Sequence, residues 1–263
     1  MQSIVKTVYH SSCSLNIQPH FHDCHQIIFI AKGEVDFCVN NNRLHATAGN
    51  IAIFSRYENH SVLGCSDEYE RFVLRIDPNV VNRKSSVYSL LTDRPVGFCN
   101  VINVSSNMDE IVDIFNHILS EHKKAIKLAD EMELLLVKQL LIIIYRCTPI
   151  NFDNTYDGVV VAMKRQFENE YQKPFTLAML AKQHNLSISS LSHRFQAATG
   201  VSVIEYLQSC RMANAKQMLA ETDSSIGQIV EKCGFSDNSN FSRTFKKLTG
   251  LSPSDFRKKY KAR

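Results

Sequence analysis

Over the first hundred residues, apolar side chains come in short runs at 26–31, 34–39, 50–55 and 69–76. Turn residues such as Lys32-Gly33, Asn40-Asn41-Asn42 and Gly64 separate them. A turn signal about every 8–12 residues predicts a small β-barrel or sandwich. Near residue 107 the period lengthens. Met108, Ile111, Val112, Phe115, Ile118 and Leu119 fall at helical spacing, and the run from Leu134 to Tyr145 resumes it after a charged break at 123–130. Two antiparallel helices are expected there. Their apolar stripe either joins two copies of the chain or packs on its own barrel, and the pattern leaves both open.

Residues 148–155 (TPINFDNT) carry Pro149 and show no period, which marks 148–156 as a linker. From Asp157 onward the chain reads as helix over 157–171, 176–184, 188–198, 203–220, 225–233, 238–248 and 253–260. Thr176, Ser187, Ser202, Ser225 and Ser236 stand at N-cap or turn positions, and Pro253 suits the first turn of the last helix. The expected organisation is an α+β chain: a barrel over 1–106, a helical hairpin over 107–147, the linker, and an all-α domain over 157–263.

That last domain repeats itself. The segment 229–260 (IVEKCGFSDNSNFSRTFKKLTGLSPSDFRKKY) shares its grammar with 180–207 (LAKQHNLSISSLSHRFQAATGVSVIEYL). Gly234-Phe235-Ser236 matches Asn185-Leu186-Ser187, Phe245 matches Phe195, and Thr249-Gly250 matches Thr199-Gly200. Helix, tight turn, helix, occurring twice, is the pattern of a device that reads DNA with two heads. Leu177, Leu180, Leu186, Leu191 and Phe195 glue the first unit, and Ile226, Ile229, Val230, Phe235, Phe241 and Phe245 the second. The second helix of the first unit then presents Ser189, Ser190, Ser192, His193 and Gln196, with Arg194 adding charge. That of the second presents Asn238, Ser239, Asn240, Ser242 and Arg243. Asn pairs with adenine edges and Arg with guanine, whereas Lys246 and Lys247, a turn further on, suit phosphate contact. A helix over 203–220 would be about 27 Å long, enough to set the heads in major grooves about 34 Å apart.

Charge agrees with this division. The formal net charge of +4 splits into −3 over residues 1–155 and +7 over 156–263, so the positive charge lies where phosphate would be met. The hydrophobic content of 44% and charged content of 21% are those of a globular protein. No signal peptide is evident at the N-terminus, and the greasiest run, 134–145, is too short to span a bilayer. Eight cysteines without a CxxC pair read as free, mostly buried thiols in a reducing cytoplasm.

The C-terminal 107 residues resemble the DNA-binding domain of the AraC/XylS family of bacterial transcription regulators. The resemblance rests on Arg211-Met212-Ala213-Asn214-Ala215-Lys216, Leu219, Ile226, Ile229 and Gly234-Phe235, then on Asn240-Phe241-Ser242-Arg243-Thr244-Phe245-Lys246-Lys247, Gly250, Pro253, Phe256 and Arg257. It implies a unit with two helix-turn-helix motifs that binds double-stranded promoter DNA and often recruits RNA polymerase. Ser192-His193 departs from the larger or more basic pair of many relatives, which leaves the first head's base preference open.

A looser resemblance, over about 5–100, is to the family's effector domain. His20-Phe21-His22, Gln26 and Gly33 have the spacing of a cupin barrel's first motif, His-x-His-x3-Glu-x6-Gly, and the stretch after Gly49 resembles the second, with His60. A His-x-His pair on one strand sets both imidazoles on one face, where His60 joins them. Gln26 stands where a carboxylate ligand would be, which removes an anionic donor, so no metal, cofactor or catalytic residue is expected. Cys24 and His25 face other ways. His20, His22, Gln26 and His60 instead read as an effector site with Phe21, Phe29 and Phe54 as neighbours, suited to a sugar or other metabolite. The expected protein is a cytoplasmic, non-enzymatic, effector-responsive regulator, dimeric through 107–147. Two other readings stay open: a cupin metalloenzyme with an accessory helical domain, and a constitutive DNA-binding protein with the barrel as a scaffold.

Overall fold

The computed structural model describes residues 4–12, 17–40, 42–78, 80–81, 85–92, 94, 98–124, 127–149 and 157–261. Cys13, Asn41 and positions 150–156 of the expected linker lie outside the described residues. The chain divides into two compact units, Met1–Tyr156 and Asp157–Arg263.

In the first unit the strands are β1 (Val5–Ser12), β2 (Ile17–His20), β3 (His25–Lys32), β4 (Glu34–Val39), β5 (Asn42–Thr47), β6 (Asn50–Phe54), β7 (His60–Cys65), β8 (Glu70–Ile76) and β9 (Val101–Asn103). They form two antiparallel sheets, ordered β1-β8-β3-β6-β9 and β2-β7-β4-β5. Strand β3 does not alternate because both its faces are covered. Ile28 and Ile30 point between the sheets, among Phe37, Phe54, Val62 and Val73. Ile27 and Phe29 point the other way, onto Phe72, Leu74 and the helices α2 (Met108–Lys124) and α3 (Ala129–Cys147). Four strands lie where the apolar runs predict them. β1, β2, β5, β7, β9 and the single-turn helix α1 (Tyr88–Leu91) carry too little apolar signal, β5 burying only Ala46.

The stripe on α2 and α3 goes to the barrel. Ile111, Ile114, Phe115 and Ile118 of α2, with Val137, Leu140, Leu141 and Ile144 of α3, are buried against the outer face of the five-stranded sheet. A second row on α3 stays outside: Leu128 at its N-cap, then Met132, Leu135 and Ile142, are all exposed. The buried Glu133 carboxylate pairs with His122 at 2.9 Å and ties the two helices together.

The second unit holds α4 (Gly158–Glu170), α5 (Leu177–Gln183), α6 (Ile188–Thr199), α7 (Val203–Glu221), α8 (Ile226–Lys232), α9 (Asn238–Thr249) and α10 (Pro253–Tyr260). Thr176, Ser187, Ser202 and Ser225 each cap the helix that follows, with capping boxes at Ser202 and Ser225. At α9 the expectation of Ser236 needs correcting. Asp237 is the cap, taking the amides of both Ser239 and Asn240, and Ser236 belongs to the preceding bend.

Helix α7 explains how two heads share one small domain. Residues advance about 100° each along a helix, so Val203, Tyr206, Leu207 and Cys210 share one face while Met212, Ala215 and Leu219 share the opposite one. All seven are buried. Tyr206 lies against Phe167 and Phe195 of the first head, and Met218, on the flank between the two faces, lies against Cys233 at the end of α8. Arg211 between them donates to the carbonyls of Tyr171 and Lys173 at 2.8 and 2.9 Å.

The turns inside the heads match. Asn185 and Gly234 stand at equivalent places, both in the left-handed region at φ 54° and 77°. Each motif also closes alike: the Thr199 hydroxyl bonds the Phe195 carbonyl at 2.7 Å and that of Thr249 the Phe245 carbonyl at 2.8 Å. Gly234 carries a second constraint, since a Cβ there would lie 2.6 Å from the Gln172 carbonyl oxygen. Gly227, in α8, would meet nothing within 4 Å. Gly234→Ala should therefore destabilise by more than about 1 kcal/mol, whereas Gly227→Ala should stabilise by about 0.8–1 kcal/mol. Urea unfolding of both variants measures this, and equal effects would refute the turn's role.

Candidate DNA interface and effector site

The second helix of each head, α6 and α9, buries one row and exposes the opposite one. In α6 the buried pair is Leu191 and Phe195; Ser189, His193 and Gln196 are exposed and Ser192 half-buried. In α9 the pair is Phe241 and Phe245, leaving Asn238, Ser239, Asn240, Arg243, Lys246 and Lys247 exposed. Residues 239, 243 and 246 fall at i, i+4 and i+7, so one strip of α9 presents a serine, a guanidinium and an ammonium together.

The two strips differ in charge, for a reason the sequence hides. Arg194 does not add charge to the first head. Its Nε and Nη2 bond Asp157 at 2.6 and 2.9 Å in a two-pronged pair. Burial alone would raise the Asp157 carboxyl, but Arg194 and the first amides of α4 outweigh it and hold it below the usual carboxylate range. Asp157 thus caps α4 and neutralises the only cation of α6. In α9, Asp237 is likewise held down by the Asn240 and Ser239 amides it accepts from.

In the barrel, three of the four expected effector residues meet. His20 and His60 are direct partners across the β2–β7 pair. Ring centroids are 4.4 Å apart for His20 and His60, 4.8 Å for His20 and His22, and 5.4 Å for His22 and His60. His22 lies beyond the end of β2, so strand alternation alone does not bring it there. His60 is buried, stacked on Phe54 at 4.1 Å with rings 3° from parallel. Its Nδ1 faces the Glu58 carbonyl at 2.9 Å, and the His20 Nδ1 faces the Gln18 carbonyl at 3.0 Å. Carbonyl oxygens only accept, so both rings carry their proton on Nδ1 and turn an Nε2 lone pair towards the cluster. Burial, then the neighbouring His20 ring and the Arg75 charge, push the His60 imidazole down to about 3, against the pull of the Glu58 carbonyl. It is neutral at pH 7.

Gln26 stands on the facing sheet, in register with Phe54, and its Oε1 accepts from Arg75 Nε at 2.8 Å. Gln26 therefore reaches the site through Arg75. Arg75 was readable in the sequence as a charge in the inward register of β8, two residues from Val73. Phe29 is not a neighbour of this site; it stacks between Phe72 and Phe115 on the opposite face of β3. His25 accepts the Arg56 amide at 3.0 Å, and burial pushes the Cys24 thiol up to about 12, so neither joins the cluster. None of the seven described cysteines forms a disulfide; Cys24, Cys210 and Cys233 are buried, but Cys99 is exposed.

Residues 10–136 match the family model described as the AraC-like ligand binding domain, and 180–259 match a helix-turn-helix domain. The HTH-type transcriptional activator RhaR of Mannheimia succiniciproducens is 25% identical over 248 residues, covering 92% of this chain and 87% of the relative. RhaR of Pectobacterium carotovorum is 26% identical over 245 residues, covering 92% and 86%. Among solved structures, ToxT of Vibrio cholerae superposes with a TM-score of 0.63 at 16% identity, covering 99% of this chain and 100% of that one. A ToxT structure bound to an unsaturated fatty acid gives 0.59 at 16% identity, covering 98% and 95%. These superpositions show a shared fold.

The Asp157 pair assigns Arg194 to stability. Arg194→Ala should lower the midpoint of thermal unfolding and leave the salt dependence of DNA binding unchanged. A shallower salt slope in filter-binding titrations would place Arg194 on phosphate instead.

Proposed function

The chain belongs to the AraC family of transcription regulators, and from that premise we propose that α6 and α9 read promoter DNA while the histidine end of the barrel binds the effector. The observation that carries the first part is the pair of equivalent heads, each with a buried apolar row behind an exposed polar one. Helix α7, of 19 residues, spans about 28 Å, close to the groove repeat of about 34 Å.

Within this reading α9 is the dominant head. Asn238 and Asn240 face adenine edges, Arg243 a guanine, Ser239 is permissive, and Lys246 and Lys247 hold phosphates. In α6, Ser189, Ser192, His193 and Gln196 supply neutral contacts with the Arg194 charge already spent on Asp157. This head adds register more than affinity. Bound to its promoter, the chain recruits RNA polymerase as an activator. No described helix is long and apolar enough to cross a membrane, and we place the protein's work in the cytoplasm, with its DNA.

For the effector, the barrel interior favours a small polar molecule. Ile30, Val35, Phe37, Ala46, Ala52 and Phe54 occupy the space between the sheets, each no more than 1% exposed. Hydrogen-bonding groups gather at the end holding His20, His22, His60 and Arg75, with Gln26 orienting Arg75. A fatty acid of the kind bound to ToxT would need a longer apolar channel.

For dimerisation the exposed row of α3 is the candidate face, with a second copy of the chain on it. Antiparallel pairing about Leu135 sets Leu128 of each copy against Ile142 of the other and brings Glu131 near Lys138, so the row complements itself in shape and charge.

Arg243→Ala should weaken specific binding by about 1–3 kcal/mol and relax preference at one base pair. Lys246→Ala should weaken all sequences alike and shallow the salt slope by about one unit. Gel-shift titrations on the promoter and a scrambled competitor, across salt, separate the two; identical behaviour would refute this register. Leu135→Glu should convert the dimer to monomer in analytical ultracentrifugation, and an unchanged sedimentation coefficient would move the dimer interface elsewhere.

A further inference from the structure

We propose that His20, His22 and His60 form a site for one divalent transition-metal ion of the zinc class, whose remaining position takes an oxygen of an anionic effector. The ligand identity rests on the effector reading above; the metal site itself does not.

The three residues place their available ligand atoms within 4.8 Å of one another. A tetrahedral ion bound at about 2.05 Å sets its nitrogens about 3.3 Å apart, so the rings are near that arrangement. His20 and His22 are only half-buried, and His22 lies outside the strands, which leaves them room to turn inward.

The bonds on the far side of the rings are those a metal ligand needs. His20 and His60 each have Nδ1 fixed by a backbone carbonyl, at 3.0 and 2.9 Å, which selects the tautomer with a lone pair on Nε2. The His60 Nε2 is buried and has no hydrogen-bond partner among the described residues. Leaving such an atom unsatisfied is costly, a cost that a purely structural histidine avoids and a bound cation removes. Phe54 stacked flat on the ring locks its plane.

The charge around the cluster selects the fourth donor. Three neutral imidazoles suit Zn²⁺, and also Fe²⁺, Ni²⁺ or Cu²⁺, but leave the ion's double charge uncompensated. The cluster contains no carboxylate, Gln26 standing in the inward register of β3 and bonded to Arg75. Arg75 adds a further positive charge on this side of the barrel: its Nε bonds Gln26, which stands opposite Phe54, the residue stacked on His60. A bound cation facing a guanidinium calls for an anion between them. A small carboxylic or hydroxy acid offers one oxygen to the ion and another to Arg75, so metal and effector would bind together.

The test uses the full chain, stripped with a chelator and titrated with Co²⁺, whose visible absorption reports four-coordinate binding. One Co²⁺ per chain is expected, displaced by Zn²⁺. His22→Gln and His60→Gln should each weaken binding by at least the about 10–100-fold that loss of a supporting hydrogen bond costs a metal site. Circular dichroism confirms that each variant is folded, and His22→Gln carries the test if His60→Gln is not. Folded wild-type protein without the absorption band, or a band that survives when His20→Gln, His22→Gln and His60→Gln are combined, overturns the site. A panel of metabolites tested for effects on promoter affinity, with and without metal, separates the two ideas. Metal binding without any responsive metabolite supports the site and removes the effector assignment. A metabolite response in chelated protein that takes up no Co²⁺ removes the metal site and keeps the effector.

Discussion

Everything in the second unit depends on one helix that is apolar on opposite faces in its two halves. Were the buried positions of α7 on a single face, both heads would compete for the same side of it. Val203, Tyr206, Leu207 and Cys210 face one way and Met212, Ala215 and Leu219 the other, all buried, so the helix is enclosed on both sides and meets both heads. Arg211, at the changeover, satisfies two carbonyls of the segment after α4 and lies 5.8 Å from the Phe235 ring of the second head. The spacing of α6 and α9 is therefore set by close packing on α7.

The barrel works by the opposite logic. Its middle is filled with close-packed apolar side chains, and its chemistry is displaced to one end. There, β2 and β7 present His20 and His60 side by side, while the facing sheet contributes Arg75 through Gln26. Burial keeps His60 neutral, and neutrality is what makes its lone pair available to a ligand. The outer face of the five-stranded sheet is covered by α2 and α3, and α3 also carries the exposed Leu128–Ile142 row.

How far the sequence foretold this differs between the two units. The helical unit was legible nearly to the residue, because each helix announces its start with a side chain that accepts amides: Thr176, Ser187, Ser202, Ser225. Where two acceptors stood adjacent, at Ser236 and Asp237, the pattern did not say which would cap; the carboxylate took two amides where a hydroxyl takes one. In the barrel only strands with continuous apolar runs stood out. Edge strands such as β5 bury a single residue and look like loops. The histidine cluster was visible as spacing, but two facts were tertiary. Phe29 points to the helices, a matter of which face of β3 is inside, and Arg194 is consumed by Asp157, 37 residues away.

That last contact has a mechanical meaning. Asp157 is the first residue of the second unit. Its carboxylate holds both the opening amides of α4 and the guanidinium of α6. One carboxylate thus fastens the first turn of α4 to the middle of α6, so losing that single side chain would free both at once.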